Sequence, residues 1–144
     1  MLVRCIYASR VNDVNTSALR KSIMASSRRH NPELGVTGIL VFAGDYFIQI
    51  LEGGRDHVCQ LYNKIAQDPR HTHVTLMVFE EIEKRSFEGW AMGEVPLDQV
   101  NPAVLLKYSA TRKLEPFQMT GSSMLHLLQE LVASGSVNCG PQRA

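Results

Sequence analysis

Three features that would narrow the function at once are missing from this sequence: a strong charge of one sign, a long apolar run and a set of paired cysteines. Fifteen lysines and arginines stand against fourteen aspartates and glutamates, which leaves a formal charge of +1. So small a net charge gives no chain-wide field to attract nucleic acid or an anionic membrane. We therefore expect no nucleic-acid and no membrane partner, and any partner has to be inferred from a specific site.

Signals for export and for metal binding are missing as well. No apolar run approaches the roughly 18 residues of a membrane span, and the opening MLVRCIYASR has no apolar core or cleavage site of a secretory leader. The cysteines Cys5, Cys59 and Cys139 are odd in number and far apart, without a CxxC pair. This spacing favours reduced thiols over disulfides or a zinc site. We expect a cytoplasmic protein with no metal centre.

What is present fits one compact domain with an appended segment. The chain has 144 residues, 44% of them hydrophobic, which is enough to bury a core. The run LVRCIYA at 2–8 predicts a first strand, and turn-forming residues follow it. Hydrophobic periodicity then predicts a helix that starts at Asn15 or Thr16. We expect HNP at 30–32 to stop this helix, because Pro32 disfavours helical geometry at Asn31.

The next part of the chain alternates strands with a second helix. Apolar runs at 36–43 and 46–52 flank Gly44-Asp45, a hairpin signal, and an amphipathic stripe predicts a helix over 55–67. Further strands are expected at 74–82 and near WAMGEV at 90–95. The order βαββαβ with an added fifth strand predicts an α+β, ferredoxin-like sheet with both helices on one face.

After Pro96 the pattern becomes helical. We divide the chain into a sheet domain at 1–95, a helical extension at 96–134 that packs on the sheet, and a flexible tail at 135–144. Helices are expected near 102–109 and 118–133. The second carries an apolar stripe that is suited to cover the open face of the sheet or to contact a partner: Met124, Leu127, Leu128 and Leu131.

The stretch YFIQILEGG at 46–54 places an amide inside an apolar strand. Side chains alternate along a strand, so Phe47, Gln49 and Leu51 share one face and Ile48 and Ile50 the other. A buried amide without a partner costs about 1–3 kcal/mol, so Gln49 needs a hydrogen-bonding group nearby. By itself this indicates only a core glutamine that is bonded to backbone or to a neighbouring side chain.

Five segments taken together resemble a known family. Tyr7 in the first strand, His30-Asn31, GVTGILVFAGDYFIQILEG, IAQDPRH and RSFEGWAM follow one another as the signatures of the BLUF domain do. BLUF domains sense blue light with a flavin. The resemblance runs from about residue 2 to 93, and the remainder is similar to short BLUF proteins in which the sensor carries only a helical cap.

The resemblance implies a flavin ring that lies between the two helices, edge-on to the central strands. Ile23 and Ile65 then sandwich the ring. Asn31 binds the C4 carbonyl and N3–H, which suits an amide because it offers both an acceptor and a donor. Arg70 approaches the C2 carbonyl, and His71 lies near the ring and the ribityl chain.

Other positions complete the implied contacts. Ser27, Phe47 and Asp68 are further flavin-contact candidates. Arg28, Arg29 and Lys64 either meet flavin phosphates or form an ordinary solvated basic face. His71 and His73 also invite a metal interpretation, but no third ligand at suitable spacing accompanies them.

The implied photochemistry depends on Tyr7 and Gln49. Tyr7 supplies an electron and a proton to the excited flavin by way of Gln49. The amide of Gln49 then rotates or tautomerises. The flavin returns to its oxidised state, and its absorption is shifted to the red. Trp90 and Met92 are two apart, so one strand face can present both, and members of the family differ over which of them lies beside the glutamine. The sequence leaves that choice open.

The resemblance therefore implies a photoreceptor that is not an enzyme and that binds FAD, with FMN or riboflavin as alternatives. It passes its signal to an unidentified partner protein, and self-association is possible. Two other classes stay open: a small flavin-dependent oxidoreductase, although the chain has no GxGxxG fingerprint, and a ferredoxin-like regulatory module without a cofactor.

Overall fold

The computed structural model of the protein describes residues 1–11 and 13–137, apart from the side chains at 13–15. Cys139 and most of the expected flexible tail, residues 138–144, lie outside the described residues. Within them Cys5 and Cys59 are free thiols. No helix in these ranges is both long and apolar enough to cross a membrane.

The element order is the one that the sequence predicts, with small differences in the bounds. The strands and helices in chain order are β1 Leu2–Arg10, α1 Asp13–Leu34, β2 Thr37–Phe42, β3 Tyr46–Gly54, α2 Arg55–Ala66, β4 Thr72–Ile82, β5 Gly93–Pro96, α3 Pro102–Tyr108 and α4 Gly121–Ala133. Short 3-10 turns at Leu97–Gln99 and Pro116–Gln118 flank α3 and α4.

The five strands form one sheet in the order β4-β1-β3-β2-β5. Neighbouring strands are antiparallel except for β2 and β5, which are parallel. The first four strands with α1 and α2 make the ferredoxin-like arrangement, and β5 is the added strand at one edge. The predicted α+β fold class is confirmed.

Each face of the sheet has its own apolar cluster, because the side chains of β1 and β3 alternate between the faces. Phe47 and Leu51 pack with Leu19 and Ile23 of α1 and with Val58 of α2. Ile48 and Ile50 point the other way and join the cluster that contains α3 and α4. The two central strands are therefore buried on both faces, and Gln49 lies on the face beneath α1 and α2.

The helical extension covers the second face of the sheet. The stripe on α4 is buried to 0–1% exposure and packs with Ile39, Ile48 and Ile50. Val137 packs against the same cluster. Because the stripe and the sheet face cover each other, neither is exposed to a partner in this conformation.

The predicted stop of α1 at HNP, residues 30–32, is wrong. The helix continues through Pro32 to Leu34, and it ends because Gly35 adopts a φ of +68°. The amide of Val36 donates to the carbonyl of Asn31 at 3.0 Å, and that of Gly35 to the carbonyl of Pro32 at 3.4 Å, the two bonds of a Schellman motif. Pro32 lies in the last turn and removes one amide donor there, but the helix continues past it to Leu34. Asn31 is therefore held inside the helix.

The predicted fifth strand is also displaced. Pairing with β2 begins at Gly93, opposite Ile39, so Trp90 and Met92 precede the strand. The cause is the connection from β4 to β5, which lie at opposite edges of the sheet. Residues 83–92 have to cross three strands before pairing can start, and we call this segment the crossover loop.

The α4 stripe gives a stability prediction. Leu127→Ala should lower the free energy of unfolding by about 2–5 kcal/mol, because it leaves a cavity in a packed cluster. Urea unfolding followed by circular dichroism measures it. His126→Ala is the matched control on the exposed face of the same helix and should change the value by less than about 0.5 kcal/mol. Equal effects of the two substitutions would contradict the packing.

Candidate functional site

Strand pairing brings a phenol and an amide together beneath the helices. Tyr7 of β1 is directly opposite Gln49 of β3, and both side chains have no exposed surface. The Tyr7 hydroxyl donates to Oε1 of Gln49 at 2.6 Å. The other end of the amide, Nε2, contacts Sδ of Met92 at 3.6 Å. Three buried side chains thus form a chain of contacts from β1 to the end of the crossover loop.

Burial fixes the protonation state of Tyr7. It raises the pKa of the phenol well above 10.0, and the nearby Cys5, Tyr62 and Asp68 raise it further. The ring of Tyr62 also meets the ring of Tyr7 edge-on, with centroids 5.7 Å apart. In the structure the phenol donates its proton to Gln49, so the amide oxygen faces Tyr7 and the NH2 group faces Met92.

The amide of Gln49 is incompletely bonded. A thioether is a weak acceptor, and among the described residues it is the only acceptor that Nε2 meets. Nε2 carries two hydrogens, and neither has a strong partner. The site therefore retains donor capacity in a buried position, where an unmade hydrogen bond is costly.

Asn31 presents the complementary group. Its side chain is 1% exposed, and Nδ2 donates to the carbonyl of Ala91 at 2.9 Å. The oxygen Oδ1 accepts no hydrogen bond from the described residues. Asn31 borders a cavity of about 390 Å³ between α1 and α2, which we call the interhelical cleft; Ser26 and His30 line it from α1, and His57, Leu61 and Lys64 from α2.

The apolar candidates lie around the same region. Ile23 and Phe47 belong to the cluster between the helices and the sheet, at 8% and 0% exposure. Ser27, one turn after Ile23 on α1, is buried, and Ile65 on α2 is half-buried. These side chains give both helices an apolar inner surface.

His71 is buried in a polar pocket after α2. Its Nδ1 lies 2.9 Å from the Ser9 hydroxyl, and its Nε2 lies 2.7 Å from the carbonyl of Ile65. A carbonyl only accepts, so Nε2 carries a proton, and in a neutral ring Nδ1 then accepts from Ser9. Because both ring nitrogens have partners, His71 does not offer itself as a metal ligand with His73. No group of three candidate metal ligands occurs in the described ranges.

Arg70 and Asp68 pair with each other beside this pocket. The guanidinium Nη2 lies 2.6 Å from Oδ2 of Asp68, and Nη2 also donates to Ser22 of α1 at 3.1 Å. The hydrogen bonds and charge of Arg70 lower the pKa of Asp68 from 3.8 to about 2. The pair links the loop after α2 to α1.

Trp90 and Met92 lie on opposite sides of the sheet edge. Met92 is fully buried beneath the helices and contacts Gln49. Trp90 is partly buried and packs with the cluster beneath α3 and α4, while its carbonyl accepts from Gly38 at 3.2 Å. The prediction that one strand face presents both is wrong, because both precede β5. The structure places Met92 beside the glutamine.

Sequence reasoning missed some partners in the site. The carbonyl of Ala91 and the hydroxyl of Ser9 bind predicted residues 60 and 62 positions away, and no local pattern signals such contacts. Glu52 is different. It is a carboxylate with 0% exposure in the same strand as Gln49, and a charge in so apolar a stretch was a readable signal of a buried ion pair.

Comparison with known proteins agrees with this geometry. The family model described as "BLUF: Sensors of blue-light using FAD" matches residues 2–93. The chain belongs to the BLUF family. Flavin-based sensing of blue light is therefore the property that this chain shares with its family, and the resemblance noted in the sequence is confirmed.

Relatives of the BLUF domain differ in length. The blue light- and temperature-regulated antirepressor BluF of Escherichia coli K12 is 34% identical over 87 residues, which are 60% of this chain but only 22% of that protein. BlsA in its photo-activated state has a TM-score of 0.81 at 29% identity and covers 92% of this chain and 95% of its own. The BLUF protein BlrB in the dark state has a TM-score of 0.77 at 32% identity, and the match covers 93% of this chain and 96% of BlrB. The extension after residue 93 is thus matched in structure.

The residues present fit a flavin. The pyrimidine edge of the ring system alternates carbonyl oxygens with an N–H group, so it requires donors and an acceptor in turn. Oδ1 of Asn31 is an acceptor that no described residue uses, and Nε2 of Gln49 is a donor on a weak acceptor. Ile23 and Leu61 provide apolar surface from the two helices.

The Asp68–Arg70 pair predicts a pH dependence. Because the folded-state pKa of Asp68 lies near 2 rather than 3.8, its contribution to stability is present above about pH 4 and is lost as the pH falls through 3.8 towards 2. Asp68→Asn should therefore flatten the fall in unfolding free energy over this window, measured by denaturant titration at each pH. Asp98→Asn, at an exposed residue, is the control and should follow the wild type. A D68N curve parallel to that of the wild type would count against the pair.

Proposed function

We propose that this chain is a blue-light photoreceptor that binds FAD between α1 and α2 and signals by rearranging the Gln49 amide. One observation carries the proposal: the 2.6 Å hydrogen bond from buried Tyr7 to Gln49, with the other end of the amide on the weak acceptor Met92. An amide in this position can exchange its donor and acceptor ends without any change of charge. The description of the family favours FAD, and FMN or riboflavin would meet the same ring contacts.

The binding residues follow from the fit of the site. Ile23 and Ile65 would flank the ring, and Oδ1 of Asn31 would accept from N3–H. Ser27, Phe47 and His71 would border the ring and its ribityl chain. Arg70, held by Asp68 and Ser22, would reach the C2 carbonyl only by changing partners.

Tyr7 and Gln49 perform the proposed photochemistry. Bound flavin supplies absorption of blue light and, once excited, an acceptor for an electron. Tyr7 would donate that electron, and its hydroxyl proton would move to Oε1 of Gln49 while Nε2 gives up one of its protons to a ring nitrogen that the extra electron has made basic. When the electron returns to Tyr7, a proton returns to the phenol as well, so no atom is gained or lost. What persists is the amide in its exchanged orientation.

The switch needs mechanical support. A hydrogen bond contributes only about 1 kcal/mol net, and a tenfold population shift requires about 1.4 kcal/mol. Met92, which contacts the amide, leads directly into β5, and Asn31 binds the carbonyl of Ala91 next to it. The end of the crossover loop is therefore the element that would pass the change on.

The output of the chain is proposed to be a contact with a partner protein, and we assign no enzymatic activity to it. The α4 stripe and the sheet face cover each other, so a partner would bind the outer surface of the extension or displace it. A pull-down from a cell extract in the light and in the dark tests whether contact depends on illumination. Cytoplasmic location and self-association stay predictions.

The central test is spectroscopic. Wild-type protein should retain flavin and show a small, thermally reversible red shift under blue light, whereas Gln49→Leu and Tyr7→Phe should bind flavin and show no shift. Each substitution removes one end of the 2.6 Å hydrogen bond. A normal red shift in either variant would overturn the assignment.

The controls make the same two kinds of substitution at other positions, one next to Tyr7 and one on the surface. Tyr62→Phe removes the hydroxyl from the ring that meets Tyr7 edge-on, and Gln118→Leu replaces an exposed glutamine; both variants should keep the red shift. Colourless purified protein that takes up no flavin would support a cofactor-free module instead. Bleaching of bound flavin by a reduced nicotinamide would support an oxidoreductase.

The role of Asn31 is tested by affinity. Asn31→Ala should weaken flavin binding about tenfold, the effect of one lost hydrogen bond, measured by fluorescence titration of the apoprotein. Asn63→Ala on the exposed side of α2 should bind as the wild type does. Unchanged affinity in N31A would show that Asn31 does not bind the ring.

A further inference from the structure

The crossover loop rests on a row of polar side chains that runs across four strands. Glu80 of β4 is opposite Arg4 of β1, Arg4 is opposite Glu52 of β3, and Glu52 is opposite Thr37 of β2. The row lies on the face of the sheet away from α1 and α2, since Phe87 of the loop belongs to the cluster beneath α3 and α4.

Glu52 is the centre of this row and the main anchor of the loop. Its carboxylate accepts from the amide of Phe87 at 2.7 Å and from the amide of Ser86 at 3.0 Å, and Arg4 pairs with its Oε2 at 2.9 Å. A carboxylate with 0% exposure is stable only when paired and hydrogen-bonded in this way. The loop backbone is therefore fastened at the point where it crosses β3.

Further bonds fasten the loop on both sides of Glu52. Arg85 donates to the hydroxyl of Thr37 at 3.0 Å and to the carbonyl of Glu52 at 3.2 Å. Arg4 donates to the hydroxyl of Ser86 at 3.0 Å. Between this fastened backbone and Met92, the carbonyls of Trp90 and Ala91 accept from Gly38 and Asn31 and continue the same attachment of the loop.

We propose that Glu52 is a positioning residue for the photochemical switch: by anchoring the crossover loop at Ser86 and Phe87 it holds Met92 against Gln49. The inference rests on the proposed function, since it concerns the same amide. Gln49 and Glu52 stand three apart on β3 and so face opposite sides of the sheet. The loop connects them, because it is bonded to Glu52 on one face and delivers Met92 to Gln49 on the other.

The chemistry of Glu52 makes its amide analogue a sharp probe. Both carboxylate oxygens are surrounded by donors, Oε1 by the two backbone amides and Oε2 by Arg4. An amide offers an oxygen at only one of these positions, and at the other its NH2 group would face a donor. Glu52→Gln therefore has to release either the loop or Arg4, with little change in volume.

The measurement is the rate at which the red-shifted state returns in the dark. If the loop holds Met92 against the amide, Glu52→Gln should accelerate the dark return of the red-shifted state about tenfold. This is the factor by which the rate rises when the barrier falls by the free energy of about one hydrogen bond. Met92→Ala should accelerate it as well, and E52Q added to M92A should change the rate by less than about twofold, because coupled residues are not additive.

Glu80→Gln is the matched control. Glu80 also pairs with Arg4, at 3.0 Å, but it makes no bond to the loop, so this variant should recover within about twofold of the wild type. If E52Q does not fold, Arg85→Ala replaces it; that residue is half-buried, and its loss also frees the loop and should speed recovery.

The outcomes separate this proposal from the one on which it rests. If wild type shows the red shift and Q49L abolishes it, but the Glu52 variant (or its Arg85 replacement) recovers at the wild-type rate, only the positioning role fails. It also fails if E52Q accelerates recovery as much in M92A as in wild type, because Glu52 then does not act through Met92. Absence of any red shift in the wild type would overturn the proposed function itself.

Discussion

The structure of the site depends on one hydrogen bond between two central strands. Antiparallel pairing of β1 and β3 puts Tyr7 opposite Gln49, burial keeps the phenol neutral, and its hydroxyl donates to the amide oxygen. Once that end is fixed, the thioether of Met92 is the only partner that the described part of the chain offers to the NH2 end. The amide is thus oriented firmly at one end and loosely at the other, which is the asymmetry that a two-position switch requires.

The surrounding fold can be understood as support for this asymmetry. Two helices provide the apolar surface that covers the face of the sheet carrying Gln49, and α4 closes the opposite face. The crossover loop connects the two faces, because Glu52 anchors it beneath the sheet and Met92 ends it above. A change at the amide therefore meets an element that is already tied to the far face, and no long chain of contacts is needed.

The pairing of Tyr7 with Gln49 was expected from the resemblance to the BLUF family, whereas local patterns were sufficient for the element order and the fold class. They were not sufficient where distant residues decide. The end of α1 depends on Gly35 and its Schellman bonds rather than on Pro32. The position of Met92 depends on a loop that crosses three strands and is held by Glu52, and nothing in the spacing of Trp90 and Met92 indicates that they part to opposite sides.

The claim that the Gln49 amide is what changes between dark and light is tested most directly by infrared spectroscopy. Protein is prepared with isotope-labelled glutamine side chains, and light-minus-dark difference spectra are recorded with and without the label. The account predicts difference bands that move on labelling, because the carbonyl of Gln49 changes its hydrogen-bond partners. Spectra that are the same with and without the label would contradict it, since the amide would then be a bystander.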